Sequence, residues 1–308
     1  RSAVNRLVPG SSPGRGAPIR TSVPATRAAQ GHKMPELPEV ETRVRQLQSP
    51  CIGRSIQNTR IDWPRHIDRP SPSAFTRRIR GQRITNVLRR GKFLIFQLSE
   101  DALLFHLRMS GDLYVARDDA PADRYAHTVL TFDNLEQLRF SDPRKFGRVY
   151  LVSTADEITT GLGPEPLSKQ FTSSIFARAL ASRKRMLKPL ILDQSFIAGM
   201  GNIYTDEVLH LTRLHPLSRS HMLSPQQVRE LWRNLRKVLR DGIRHNGSSI
   251  DWVYKGGSHQ HHFRVYRRGG EPCHECGHAI TRTTVGQRST FFCPSCQPVP
   301  EYDSPKAT

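Results

Sequence analysis

The chain has 308 residues, with 47 Lys and Arg against 27 Asp and Glu, giving a net charge of +20 and a pI near 10.6. That length accommodates two domains, or two and a small module, and the basic excess points to a polyanionic partner, nucleic acid first. No run of 18 apolar residues is present to span a bilayer. The five cysteines do not form a secreted disulfide pattern either: four stand in two CxxC pairs near the C-terminus, and Cys51 is left over as a candidate buried thiol.

Residues 1–33 carry six basic residues, no acid, and much Pro, Gly, Ser and Ala, a composition that predicts disorder. Taking those six charges from +20 leaves +14, so the basic character belongs to residues 34–308. The segment reads either as an organelle transit peptide or as a translation start placed upstream of Met34, the first methionine; the second is the expectation adopted.

Next comes Met34-Pro35-Glu36-Leu37-Pro38-Glu39. Loss of Met34 would leave Pro35 as an N-terminal secondary amine. Such an amine titrates at about 7.7–8.0, against about 10.4 for a lysine side chain, and is a nucleophile near neutral pH. Its adduct with an aldehydic carbon is an iminium, an electron sink that drives elimination. Glu36 beside it suits a general acid if burial lifts its pKa. The competing reading is that Pro-Glu simply opens a helix. A helix is expected over 36–48, with Val40, Val44 and Leu47 along one side.

Strands are predicted at 55–61, 83–88, 93–98, 103–107, 112–116, 128–132, 137–140 and 148–152, separated by turn residues such as Arg90-Gly91 and Ser110-Gly111. Their spacing predicts an antiparallel sandwich or barrel. A Gly- and Pro-rich linker at 161–166 leads to a helical region. The Gly199–Asn202 turn opens a helix over 203–211, and Ser224 caps another whose first turn holds Pro225 and whose apolar line runs from Val228 to Ile243.

Cys273-x2-Cys276, sixteen intervening residues and Cys293-x2-Cys296 have the spacing of a four-cysteine zinc site. Four protein ligands leave no position for water, so the expected Zn2+ is structural. Arg282 and Arg288 lie between the pairs. Residues 298–308 are expected to be a disordered tail.

Seven segments in order, Pro35–Thr42 (PELPEVET), Arg89–Leu94 (RRGKFL), His106–Gly111 (HLRMSG), Asp142–Gly147 (DPRKFG), Leu162–Leu167 (LGPEPL), Gly199–Glu207 (GMGNIYTDE) and the cysteine module, closely resemble the formamidopyrimidine-DNA glycosylase family, which removes oxidised purines such as 8-oxoguanine. The resemblance implies an α+β multidomain fold. An N-terminal β-sandwich with flanking helices (34–160) would be followed by a helix–two-turns–helix domain (168–262) and a four-cysteine zinc finger (263–297). It also implies a bifunctional glycosylase and AP lyase of base-excision repair, acting through a Schiff base at the N-terminal proline and β,δ-elimination. Its partner would be damaged double-stranded DNA, and the protein a monomer of the bacterial cytoplasm, associated with the nucleoid.

By the same resemblance Pro35 is the nucleophile, Glu36 the general acid, Lys92 an aid to β-elimination, and Arg288 the zinc-finger arginine that grips the lesion's phosphates. Met109, Arg144 and Phe146 match residues that fill the gap left by the extruded nucleotide. Asn202 matches a phosphate contact, Lys184 and Lys188 match basic DNA-contacting positions, and Glu39 matches an acid held near the nucleophile. Departures from the family pattern include a short, histidine-rich loop over Tyr254–Phe263, Arg108 where small residues are common, and Tyr125 where some relatives have a histidine. The rival readings are an endonuclease VIII-type enzyme for oxidised pyrimidines and a non-catalytic zinc-finger DNA binder. Leu37 speaks against the first, and an intact Pro35–Glu36 pair with Lys92 against the second.

Overall fold

The computed structural model describes residues 34–249 and 256–300. The expected N-terminal extension, the start of the histidine-rich loop and residues 301–308 of the expected tail lie outside them. Helix α1 (Leu37–Cys51) is followed by β1 (Ile56–Ile61), β2 (Ile67–Arg69) and α2 (Pro72–Ile79). Strands β3 (Ile84–Arg90), β4 (Phe93–Leu98), β5 (Ala102–His106), β6 (Asp112–Arg117), β7 (Ala126–Phe132), β8 (Glu136–Ser141) and β9 (Arg148–Val152) come next. They form two sheets, in the orders β1-β7-β8-β6 and β2-β9-β5-β4-β3. All pairs within these sheets are antiparallel except β2 with β9, a parallel edge that the strand spacing does not predict. The arrangement is a sandwich rather than a barrel.

Phe96, Phe105, Leu113, Phe132, Phe140 and Val149 fill the space between the sheets. The far side of the second sheet is also covered, by Ile95, Leu104, Tyr150 and Val152 with Ile158 from the short helix α3 (Asp156–Thr159). Burial on both faces explains why β5 is apolar throughout most of its length and does not alternate.

The second half is helical: α4 (Ser173–Ala181), α5 (Leu187–Leu192), α6 (Asn202–Leu211) and α7 (Pro225–Arg244). Ser224 starts α7 as expected. Its hydroxyl accepts from the Gln227 N–H while the Gln227 side chain accepts from the Ser224 N–H. A hairpin, β10 (Thr281–Val285) with β11 (Arg288–Phe292), carries the cysteine module. Its Cys273, Phe291 and Cys293 share a core with Phe176, Leu190, Tyr204, Leu231 and Leu235.

Helix α1 joins the two halves. Leu37 packs into the helical core, whereas Val40, Val44 and Leu47 face the sandwich. Its N-terminal residues therefore sit where the two cores meet.

Candidate active site and DNA interface

Pro35 and Glu36 precede α1, and both are buried. The carboxylate of Glu36 lies at the start of α6, where Oε1 accepts from the Ile203 N–H (2.9 Å) and Oε2 from the Tyr204 N–H (3.4 Å). The carboxyl group thus caps two otherwise unpaired amides of a helix N-terminus. A Cβ at Gly201 would lie 2.2 Å from the Glu36 carboxyl carbon, so the glycine is required by close approach. Gly199 is constrained twice: its φ is +87°, and a Cβ would lie 2.8 Å from Leu37, whose N–H donates to the Gly199 carbonyl at 3.0 Å.

Glu39 completes the arrangement. Its Oε2 accepts from the Glu36 N–H (2.9 Å), and its Oε1 accepts from the Tyr204 hydroxyl (2.7 Å) and the Ser248 N–H (2.7 Å). Burial first, then the charge of Glu39, pushes the Tyr204 phenol well above its ordinary pKa, so it stays a hydrogen-bond donor. Glu39 is thus tied to the residue beside the candidate nucleophile.

Lys92 lies on the tight turn between β3 and β4 and is only 9% exposed. Burial, the largest effect, and nearby Arg288 lower its pKa, while Glu36 and Glu39 oppose the shift. Lys92, Glu36 and Arg288 are therefore electrostatic neighbours. The turn is fastened to the linker. Glu165 accepts from the Gly91 N–H at 2.6 Å and pairs with Arg89 (2.7 Å) and Arg90 (3.2 Å); Arg89 also reaches Glu41 on α1 (3.0 Å). Arg90 donates to the carbonyls of Leu162 (2.9 Å) and Gly163 (2.7 Å).

Arg288 is exposed at the tip of the β10–β11 hairpin. The carbonyl of the next residue, Ser289, accepts from the Asn202 side-chain amide (2.8 Å) and from Lys188 Nζ (3.0 Å). The family resemblance puts Lys188 at a DNA-contacting position, and the structure corrects this. Its side chain is fully buried, with Nζ 2.6 Å from Asp206, whose other oxygen accepts from the Phe291 N–H (3.0 Å). An ammonium sealed beside a carboxylate positions the hairpin and has no free face for phosphate. Lys184 is exposed, as a phosphate contact requires.

Met109, Arg144 and Phe146 stand on two loops bound together by buried Asp142. That carboxylate accepts from the Ser110 hydroxyl, the Gly147 N–H (2.6 Å) and the Arg144 N–H (3.3 Å), and lies 3.6 Å from His66. Burial alone would raise its pKa, but bonding to His66, Ser110 and Gly147 outweighs that and lowers it. Phe146 is 45% exposed and lies under the Arg144 guanidinium, 4.7 Å from ring centroid to Cζ.

The Sγ atoms of Cys273, Cys276, Cys293 and Cys296 lie within 4.8 Å of one another. Among the described residues no other His, Cys, Asp or Glu cluster is close enough to share an ion. Four converging thiols fit one tetrahedral zinc. The module is anchored to α6 by Glu207, which accepts from the N–H groups of Arg264, Val265 and Tyr266, and by His210, whose Nε2 is 3.4 Å from Cys273 Sγ.

Sequence reasoning does not identify Glu165, Asp142, Tyr204 or Asp206 as parts of the site. Each acts on a partner distant in the chain, and no local pattern marks such a pairing. Glu39 has one signal, its place three residues after Glu36 at a helix start.

Three family models match the chain: "Formamidopyrimidine-DNA glycosylase N-terminal domain" over residues 34–149, "Formamidopyrimidine-DNA glycosylase H2TH domain" over 162–253, and "Zinc finger found in FPG and IleRS" over 270–299. The formamidopyrimidine-DNA glycosylase of Protochlamydia amoebophila is 45% identical over 274 residues, covering 86% of this chain and 99% of the relative. That of Chloroflexus aurantiacus is 46% identical over 272 residues, covering 86% and 98%. A solved structure of MutM in complex with carbocyclic 8-oxo-G containing DNA superposes with a TM-score of 0.81 at 36% identity, covering 86% of this chain and 100% of that one.

Proposed function

We propose that Pro35 is the nucleophile and Glu36 the general acid of this chain, which belongs to the formamidopyrimidine-DNA glycosylase family. It is a glycosylase and AP lyase of base-excision repair for oxidised purines, its partner is damaged duplex DNA, and its four cysteines hold one structural zinc. The family matches support a division into three parts: the sandwich from residue 34, the helical domain, and the zinc finger. The reading extends to a monomer acting on the nucleoid in a bacterial cytoplasm, the bacterial setting being that of the relatives. No helix among the described residues is long and apolar enough to cross a membrane.

One observation carries the reading: Glu36 is clamped to α6 beside Pro35, with Lys92 as an electrostatic neighbour. In a protein that starts at Pro35, the secondary amine adds to C1′ of the extruded nucleotide and the base departs with a proton. Glu36 protonates the ring oxygen, the sugar opens, and an iminium joins Pro35 to C1′. Loss of a C2′ proton expels the 3′ phosphate, and a second elimination expels the 5′ phosphate. A lysine with a lowered pKa is suited to take the first proton, and Arg288 to hold the phosphates. Met109, Arg144 and Phe146 would fill the vacated space in the stack, with Lys184 and Asn202 contacting phosphate.

Borohydride trapping tests this. Protein beginning at Pro35 should form a covalent adduct with 8-oxoguanine duplex, mapped to Pro35, and protein retaining residues 1–33 should not. An adduct with thymine glycol but not 8-oxoguanine would indicate the pyrimidine-directed enzyme. No adduct with any oxidised or abasic duplex would leave a DNA binder.

A further inference from the structure

We infer that His259 is a positioning residue for the Glu36–Glu39 pair, acting through the ring of Tyr204. The inference rests on the assignment of Pro35 and Glu36 above. His259 belongs to the histidine-rich loop that departs from the family pattern. It does not face solvent: its imidazole is buried and stacked on the Tyr204 ring, with centroids 5.4 Å apart and planes at 19°. Phe263 holds the imidazole edge-on at 5.7 Å.

Tyr204 has a specific task, because its hydroxyl donates to Glu39 Oε1 and its own N–H donates to Glu36 Oε2. Toward α7 the phenol has no room, since a Cβ at Gly242 would come within 2.6 Å of its Cε1. The His259 imidazole supplies a second boundary. Without that ring the phenol gains space to swing away from Glu39. Glu39 would then keep the Ser248 N–H but lose a donor, and its grip on the Glu36 N–H would loosen. The backbone runs beside the ring contact: the His259 N–H donates to the Gly247 carbonyl at 2.9 Å, next to Ser248. His259 is thus joined to the Glu36–Glu39 pair by one aromatic face and by a backbone hydrogen bond next to Ser248, whose own N–H donates to Glu39.

The experiment uses zinc-loaded protein beginning at Pro35, with His259→Ala, His259→Gln and His259→Phe, and Tyr204→Phe as the reference lesion. Single-turnover excision of 8-oxoguanine, Kd for a duplex holding a stable abasic analogue, and melting temperature are measured for each. His259→Gln and His259→Ala should slow excision roughly ten- to a hundredfold, the scale of small misplacements in an active site, with Kd nearly unchanged. His259→Phe keeps a stacking face and should recover most of the rate. Combining His259→Gln with Tyr204→Phe should add little to either, since both act on one contact. Wild-type excision by His259→Gln, a loss confined to Kd, or a His259→Phe variant as slow as His259→Gln at normal melting temperature would each overturn the inference. Wild-type trapping is read first: an adduct mapped away from Pro35 defeats the assignment above, whereas a normal adduct with unaffected variants defeats only the role of His259.

Discussion

The carboxylate of Glu165 accepts a 2.6 Å hydrogen bond from the backbone N–H of Gly91, the residue preceding Lys92. A linker residue between the two halves therefore sets the height of the lysine turn, with Arg89 and Arg90 completing a largely buried network. Replacing Glu165 with Ala leaves two guanidinium groups without their shared carboxylate. It should cost about 3 kcal/mol of stability and slow cleavage at a preformed abasic site more than it weakens DNA binding. Denaturant titration and single-turnover strand nicking check both parts.

Phe146 and Lys188 should part company. Phe146 is exposed, so Phe146→Ala should change stability by less than about 0.5 kcal/mol while depressing excision of 8-oxoguanine. Lys188 is sealed against Asp206. Lys188→Met should destabilise the protein by about 3 kcal/mol, because it strands a buried carboxylate. Lys184→Ala should instead flatten the dependence of log K on log salt by about one charge, an effect Lys188→Met should lack. A salt series on the three variants distinguishes these roles.

Stability should fall in mild acid. His106 is buried beside Phe93 (4.7 Å between ring centroids), and burial first, then Arg108 and Lys92, drops its pKa from 6.5 to about 3. Between those values the unfolded chain binds a proton that the folded one refuses. Stability is therefore fully present above pH 6.5 and should decline by about 1.4 kcal/mol per pH unit as pH falls toward 3. Denaturation midpoints of wild type and His106→Gln, compared from pH 7 to pH 4, should show a shallower decline in the variant.

Removing the metal should release Arg288. Cys293 and Phe291 belong to the helical core, so chelation or Cys293→Ser should disorder the β10–β11 hairpin and weaken DNA binding while the sandwich stays folded. Metal analysis should find one zinc per wild-type chain. Near-UV circular dichroism and binding to abasic duplex would report the loss.

Much is legible in the residues because it is written locally. Strands at 93–98 and 148–152 have the expected bounds, since apolar runs flanked by turns announce themselves, and Ser224-Pro225 marks the start of α7. Helix α2 and strand β2 are not foreseen, although Ser71-Pro72 is a start signal of the same kind; an eight-residue helix among so many charged residues gives too little periodicity. The four cysteines are likewise recognisable from residue type and spacing, whereas Pro35–Glu36 leaves a helix-opening reading beside the chemical one and Lys92 is singled out only by the family resemblance of its segment.

Residue type and order alone supply the zinc module, the excess of basic charge and the motif segments that carry the proposed nucleophile, acid and lysine. Which charges face DNA and which are sealed inside is settled by folding. Lys188 reads like any basic residue until Asp206, 18 positions on, is seen 2.6 Å away. Glu39 gains its purpose only when Ser248, 209 positions on, donates to it. Burial and pairing at such separations arise from how the two cores close on α1, and pairwise Coulomb and desolvation energies depend on that distance in space rather than on distance along the chain.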